Sequence, residues 1–354
     1  MRSLVKYAFA NARTRALISF LLSVEDFHRL AQAQGVDGVV EGLKRTPYAE
    51  TLGDLKNADP VAIEDALIAG DIAVFKKVAA FVTGAESSVL MFLLERYELE
   101  RLKTILRMRG GSGMSGVRVP AGKIVFDFSP DAVFAADGND GLLASLKNTP
   151  YQEPVARLRR RLAAHALDSG GAPASAPGGG EERSFFLEAS LDADYCGRFF
   201  VAIGRLTPGD RQAMKRIMVP EMDGDNLRWL WRAGNRFGME MKDAAMWLLP
   251  GGTPALAAGV RSFPQEGFER LCGRLKKYYP GLADAAGDEE SLARYFADRQ
   301  EREVRRVFGG FPFTLGVVAG YLIMKRKETE RIRALIHAKA YGWSAAQLQG
   351  AGVV

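Results

Sequence analysis

Cysteine is nearly absent from this chain of 354 residues. The two that occur, Cys196 and Cys272, stand alone, so they build neither a CxxC motif nor a disulfide framework, and a reducing compartment fits them best. Histidine is as scarce. His28, His165 and His337 have no histidine or cysteine at ligand spacing, which leaves no metal site to expect. Phosphate-binding loops of the GxxxxGK[ST] or strand-GxGxxG-helix kind are missing, and so is a GxSxG elbow. The glycine-rich stretch 110–116 has no Lys-Ser/Thr end and reads as a helix stop, and Asp288-Glu-Glu290 reads as a solvated loop. No residue set that could run chemistry emerges, so neither a catalytic site, a cofactor nor a small-molecule substrate is expected.

Long apolar runs are lacking too. The longest, Phe311 to Met324, has 14 residues and contains Gly316 and Gly320, whereas a bilayer-spanning helix needs about 20. Arg13 and Arg15 interrupt the first apolar stretch, which argues against a secretion signal. An excess of one charge is also missing: 48 Lys and Arg stand against 42 Asp and Glu, a net +6. The densest basic runs, Arg157-Leu-Arg-Arg-Arg161 and Lys325-Arg-Lys327, lack aromatic interleaving or zinc-finger spacing, so nucleic acid is not an expected partner.

What the chain does have is helical periodicity. Apolar residues make up 47%, ordinary for a globular protein. Stretches at helical spacing run over Ala62–Ala80, Val89–Arg109, Val155–Leu167, Pro208–Met218, Phe268–Tyr279, Ser291–Phe308 and Lys325–Tyr341. Ser23 followed by Asp26 marks a helix start. Lys123–Phe128 is the only strand candidate. The fold class expected is all-α. A Gly/Ala/Pro insertion at 168–180 cannot bury apolar surface and reads as a flexible loop.

The helices repeat. Glu98-Leu-Glu-Arg-Leu-Lys-Thr-Ile-Leu-Arg107, Asp223-Gly-Asp-Asn-Leu-Arg-Trp-Leu-Trp-Arg232 and Glu328-Thr-Glu-Arg-Ile-Arg-Ala-Leu-Ile-His337 share one pattern: acid-x-acid-x-apolar-basic-x-apolar-apolar-basic. Their offsets are 125 (98 to 223) and 105 (223 to 328). A second landmark, Leu43-Lys-Arg-Thr-Pro47-Tyr48, returns as Leu146-Lys-Asn-Thr-Pro150-Tyr151, with Val260-Arg-Ser-Phe-Pro264 as a degenerate third copy. A third landmark, Val119-Pro-Ala-Gly122, returns as Leu249-Pro-Gly-Gly252. This cycle predicts three similar helical modules, 1–122, 123–252 and 253–354.

On each repeated helix the apolar residues, Leu102, Ile105 and Leu106 with their counterparts Leu227, Leu230, Trp231 and Ile332, Leu335, Ile336, share one face and should be core. The first acids Glu98, Asp223 and Glu328 and the second acids Glu100, Asp225 and Glu330 are read as lying at a helix start, where the dipole favours them. Pairs three apart, Glu100–Lys103, Asp225–Arg228 and Glu330–Arg333, can form ion pairs. The signature is therefore mainly structural, together with Pro47 and Pro150. Repetition permits a second reading, in which equivalent cations line a partner surface. The candidates are Lys103, Arg107, Arg228, Arg232 and Arg333.

Taken together, the motifs resemble the C subunit of the A-type/V-type ATP synthases, the counterpart of the d subunit of V-type ATPases. The resemblance runs nearly end to end: Tyr7-Ala-Phe-Ala-Asn-Ala-Arg-Thr-Arg-Ala16, Leu43–Tyr48, Glu95–Arg107, Asp225–Arg228, Phe311-Pro-Phe313 with Gly320-Tyr-Leu322, and Glu328–Gly342. The chain departs from it in the 168–180 insertion and the shortened third proline landmark. The resemblance implies three modules with approximate threefold pseudosymmetry in a funnel-like form, without a catalytic centre. It also implies a single copy, peripheral on the cytoplasmic face of the membrane, acting as a socket between the membrane rotor (proteolipid) ring and the central-stalk subunits. Torque for proton or sodium transport passes through such a joint. A helical-repeat scaffold or adaptor of another multiprotein complex is the competing expectation.

Overall fold

The computed structural model describes residues 2–53, 55, 59–109, 123–168, 180–262 and 267–353. The described residues are helical, with no strand among them. Lys123–Phe128 is irregular rather than extended in a sheet. The heart of the 168–180 insertion, Val119-Pro-Ala-Gly122, Gly110–Gly116 and Pro264 lie outside the described residues.

The chain divides into two compact units. The first comprises Met1–Tyr97, Gly116–Pro120 and Phe311–Val354. It holds α1 (Arg2–Ile18), α2 (Val24–Gln32), α3 (Gly35–Leu43), α4 (Ala49–Leu52), α5 (Pro60–Ala79), the first half of α6 (Ala85–Arg109), α17 (Leu315–Ala340) and α18 (Ala345–Gly350). The second comprises Glu98–Ser115 and Ala121–Gly310. It holds the rest of α6, then α7 (Pro130–Ala135), α8 (Gly138–Ser145), α9 (Gln152–Asp168), α10 (Gly180–Gly204), α11 (Pro208–Asn235) and α12 (Met241–Ala244). After them come α13 (Pro254–Ser262), α14 (Phe268–Leu275), α15 (Leu282–Ala285) and α16 (Glu289–Gly309).

Local chemistry sets many of the helix starts. Ser23 and Asp26 form a capping box on α2, and Ser344 and Gln347 form one on α18. Asp59 caps α5 ahead of Pro60, and Asp288 caps α16. Tertiary packing overrides local preference in α11. Its interior Pro220 lacks an N–H and should break a helix, and the periodicity alone predicts an end near Met218. The helix nevertheless continues to Asn235, because α16 packs along it. Gly224 makes that approach possible: a Cβ there would meet the Phe296 ring at 2.8 Å.

In the first unit the core collects Phe27 and Leu30 of α2, Val39 and Leu43 of α3, and Ile63 and Leu67 of α5 around Ile332, Leu335 and Ile336 of α17. Residues from Leu315 to Ile323 on α17 are buried without interruption. A helix apolar all round belongs inside a protein core, so the run from Leu315 to Ile323 is interior, while Phe311 ahead of it is exposed. Among the described residues no helix is long and apolar enough to cross a membrane. In the second unit Leu227 and Leu230 of α11 pack with Leu256 and Val260 of α13, Leu271 and Leu275 of α14 and Phe296 of α16. Trp231, expected in the core, is only half-buried.

Candidate functional site

The acid pairs do not sit at helix starts. Glu98 is 13 residues into α6, Asp223 is 15 into α11, and Glu328 is 13 into α17. The helix dipole acts within the first and last turns, so it cannot account for carboxylates in mid-helix.

Burial and hydrogen bonding account for the first acid of each pair. Glu98 is fully buried. It accepts from the amides of Val125 (2.8 Å) and Phe126 (3.0 Å) and from the Tyr151 hydroxyl (3.1 Å). Asp223, also fully buried, accepts from the Thr253 amide at 2.8 Å and from the hydroxyls of Thr253 and Tyr279. Glu328 accepts from the Leu22 amide (2.5 Å), the Tyr48 hydroxyl (2.8 Å) and the Lys325 ammonium (3.0 Å). Each cluster thus joins a mid-helix carboxylate, a buried tyrosine and at least one loop amide. A buried carboxylate is tolerated only when it is hydrogen-bonded in this way. Burial raises the pKa of Glu98 and Asp223, and the donated hydrogen bonds pull part of that shift back. Burial first, and the adjacent carboxylate second, push the Tyr48 and Tyr279 phenols well above the ordinary range.

The tyrosines identify the second landmark's task. Tyr48 and Tyr151 end the two Thr-Pro-Tyr copies. The third tyrosine is Tyr279, in Leu275-Lys-Lys-Tyr-Tyr-Pro280, where tyrosine and proline have changed places. That segment, rather than Val260–Pro264, occupies the equivalent position. All three copies follow a short helix with a buried leucine at its end, Leu43 or Leu275 as the last helical residue and Leu146 as the residue after α8. The leucine carbonyl accepts the amide three residues on, that of Thr46, Thr149 or Tyr278. A longer sequence signal underlies them: Gly35–Tyr48, Gly138–Tyr151 and Gly267–Pro280 share a glycine, an acid two residues later and Leu-Lys near the end. The Pro-Gly-Gly landmark has its own part. Gly252 passes so close to Asp223 that a Cβ would collide with a carboxylate oxygen, which brings the Thr253 amide within reach.

Pairing follows the chain with one exception. Glu98 takes the tyrosine that comes after it, and so does Asp223. Glu328 takes Tyr48 and the amide of Leu22, 280 and 306 residues earlier. A further chain of polar groups extends this last cluster. The Thr329 hydroxyl lies 3.2 Å from that of Tyr48 and donates to Asp71 at 2.9 Å, and Tyr97 donates to the other Asp71 oxygen at 2.9 Å. The Lys325 ammonium lies 3.8 Å from the centre of the Tyr48 ring.

Asp71 supplies a pH test. Burial raises its carboxyl to about 6, against the opposing pull of Lys325 and of hydrogen bonds from Tyr97 and Thr329. A folded-state pKa above the unfolded one means that the native state binds the proton more tightly. The group's contribution is therefore most favourable below about pH 4, falls as pH rises toward 6 and stays level above. Two pKa units correspond to at most about 3 kcal/mol. Urea unfolding of wild type and Asp71→Asn at pH 4 and pH 7 should show the wild type losing ground relative to the variant over that interval. A constant difference would count against it.

The second acids and the cations bind helix to helix. Glu100 pairs with Lys103 at 3.0 Å, and Asp225 with Arg228 at 3.5 Å. Glu330 pairs with Arg326 at 3.5 Å, while Arg333 reaches Glu64 of α5. Lys103 also binds Asp192 at 3.0 Å, and Arg107 binds Glu188 at 2.5 Å, both on α10. Arg228, Arg232 and Arg236 converge on Glu289 of α16 at 3.5, 3.0 and 3.0 Å. His337, in the place of Arg107 and Arg232, lies 2.8 Å from Glu64. All five candidate partner-facing cations thus have a carboxylate on a neighbouring helix. Lys103 is buried, while about a third of the side-chain surface of Arg228, Arg232 and Arg333 remains exposed. Burial opposes the Lys103 charge, but Asp192 and Glu100 more than offset it and raise its pKa.

Comparison with known proteins gives a consistent result. The family model described as ATP synthase (C/AC39) subunit matches residues 10–350. The C subunit of the A-type ATP synthase of Methanosarcina acetivorans is 24% identical over 346 residues, covering 94% of this chain and 89% of that protein. Its counterpart in Archaeoglobus fulgidus is 22% identical over 356 residues, 97% and 95% of the two chains. That of Pyrococcus abyssi is 21% identical over 344 residues, 93% and 85%.

Proposed function

Because this chain belongs to the ATP synthase (C/AC39) subunit family, we propose that it is the non-catalytic coupling subunit of a rotary ATPase. It stands on the cytoplasmic face of the membrane, one copy per complex, and joins the proteolipid ring to the central stalk. Rotation driven by ATP hydrolysis or by proton or sodium flow passes through it. Division into three modules, 1–122, 123–252 and 253–354, arranged as a funnel with approximate threefold pseudosymmetry, belongs to the same proposal.

One observation carries this reading: the thrice-built anchor of carboxylate, tyrosine and amide in the middle of a long helix. A torque-bearing joint must resist deformation, and close-packed helices pinned by hydrogen-bonded buried carboxylates do so. The exposed sides of Arg107, Arg228, Arg232 and Arg333 are the proposed contacts to a partner, with the internal carboxylates fixing their orientation. Such charges set register and specificity more than affinity. Lys103, being buried, supports them from behind.

Affinity capture from membranes solubilised in mild detergent, with this chain as bait, should retain the central-stalk subunits and the proteolipid ring. Recovery of neither would overturn the assignment.

A further inference from the structure

Helix α1 has two apolar faces, one buried against the fold and the other largely exposed. Tyr7, Ala10 and Thr14 are buried, and α1 packs on α17. On the opposite side Val5, Ala8, Phe9, Ala12 and Ala16 fall on one face at helical spacing and are exposed. Val5 is 77% exposed and Phe9 59%. Phe20, just beyond the end of α1, is also exposed. Phe9 stands edge-on to Phe81, at 5.5 Å between ring centres, just beyond Lys76 and Lys77 in the last turn of α5.

The charges that α1 itself carries have one sign. Residues 1–24 contain Arg2, Lys6, Arg13 and Arg15 and no aspartate or glutamate. Lys6 and Arg13 flank the apolar face on one side and Arg15 on the other, by helical spacing. The Arg13 guanidinium lies 5.7 Å from the centre of the Phe9 ring. Glu86, itself buried, lies 2.5 Å from Lys6, and Arg15 donates to the Asn11 side chain at 3.2 Å.

We propose that the outward face of α1 seats on a membrane surface carrying anionic lipid headgroups. An apolar face bordered by Lys and Arg is what lies in a bilayer interface, apolar side toward the acyl chains and cations among the phosphates. At 17 residues, α1 is suited to lying in that plane. A headgroup layer offers anions to Lys6, Arg13 and Arg15 together, where a protein would need a carboxylate placed opposite each. The proposal goes beyond the coupling role, and the vesicles that test it contain no rotor subunits, so its failure would leave that role standing.

The experiment is co-sedimentation of the full chain with vesicles of phosphatidylcholine alone and of phosphatidylcholine mixed with phosphatidylglycerol. Binding to the anionic vesicles should exceed that to the neutral ones by at least about tenfold, since each cation near the surface contributes roughly a fivefold gain. It should weaken in about 0.5 M salt. Val5→Glu with Phe9→Glu should abolish it, and Arg13→Gln should reduce it by about fivefold. Val201→Glu, at another exposed apolar residue, should leave it unchanged. Should the double variant fail to fold, as read by circular dichroism, Ala12→Glu makes the same test on the same face. Equal binding to both vesicle types, or binding indifferent to the α1 variants, overturns the proposal. So does self-association that the double variant removes without any vesicle binding, which would assign the face to a second protein.

Discussion

Deleting residues 311–354 should leave the first 97 residues without a stable fold. The two segments form one unit although they lie at opposite ends of the chain. Ile332, Leu335, Ile336 and Leu348 are each at most 1% exposed, in a cluster with Phe27, Leu30, Val39, Leu43, Ile63 and Leu67. Burying one such side chain contributes about 1.5–3 kcal/mol. The four together account for roughly 6–12 kcal/mol, as much as the entire stability of a typical domain. The same deletion takes Glu328 from the Tyr48 hydroxyl and the Leu22 amide, and Thr329 from Asp71. Limited proteolysis should cut the truncated chain rapidly within residues 24–67, and amide exchange there should reach the unprotected rate. Native-like protection of that segment without α17 would show that the N-terminal helices fold unaided.

Much of this is readable from periodicity, because a helix writes its buried face into the sequence. The all-helical class, the core role of Leu102, Leu227 and Ile332, and the cap at Ser23 all follow from local pattern, whereas Asp288-Glu-Glu290, which reads as a solvated loop, is the capped start of α16. Where long-range packing decides, the pattern misleads. The continuation of α11 through Pro220 depends on α16, some 80 residues away (Glu221 to Gln300 spans 79), and α17 begins ten residues before its amphipathic part because its first turns are buried on every side. The acid pairs are legible as a repeat but not as buried anchors. Their tyrosine partners lie 53, 56 and 280 residues away, and the third copy has its tyrosine and proline exchanged. The shared glycine-acid-Leu-Lys frame around Tyr48, Tyr151 and Tyr279 is the signal that finds all three. The reach of Glu328 back to Tyr48 has no local signature, since it depends on the two ends of the chain meeting in one core.

Replacing the first acid of each pair by alanine should cost about 3–6 kcal/mol, while the amide replacement should cost only about 1–2. The difference lies in what is left behind. Glu98→Ala strips an acceptor from the Val125 and Phe126 amides and the Tyr151 hydroxyl, and a buried donor left unpaired costs about 1–3 kcal/mol. Glu98→Gln keeps a carbonyl oxygen for these donors and loses mainly the gain of a charged acceptor. Asp223→Ala and Asp223→Asn should reproduce the pair of values, since Asp223 receives the Thr253 amide and two hydroxyls. Glu328→Gln should cost more than the other amides, because Lys325, partly buried over the Tyr48 ring, would lose its countercharge. Tyrosine removal reads the same anchors from the other side: Tyr151→Phe, which deletes one hydrogen bond and leaves the carboxylate two amides, should cost about 1 kcal/mol. Combined with Glu98→Ala it should add almost nothing, since the hydroxyl no longer has an acceptor to lose. Chemical denaturation of the six acid variants, Tyr151→Phe and the double variant measures the whole set. Full additivity of Tyr151→Phe and Glu98→Ala would mean that the two side chains do not act as one anchor, and equal costs for alanine and amide would mean that the carboxylate position stabilises the helix by volume alone.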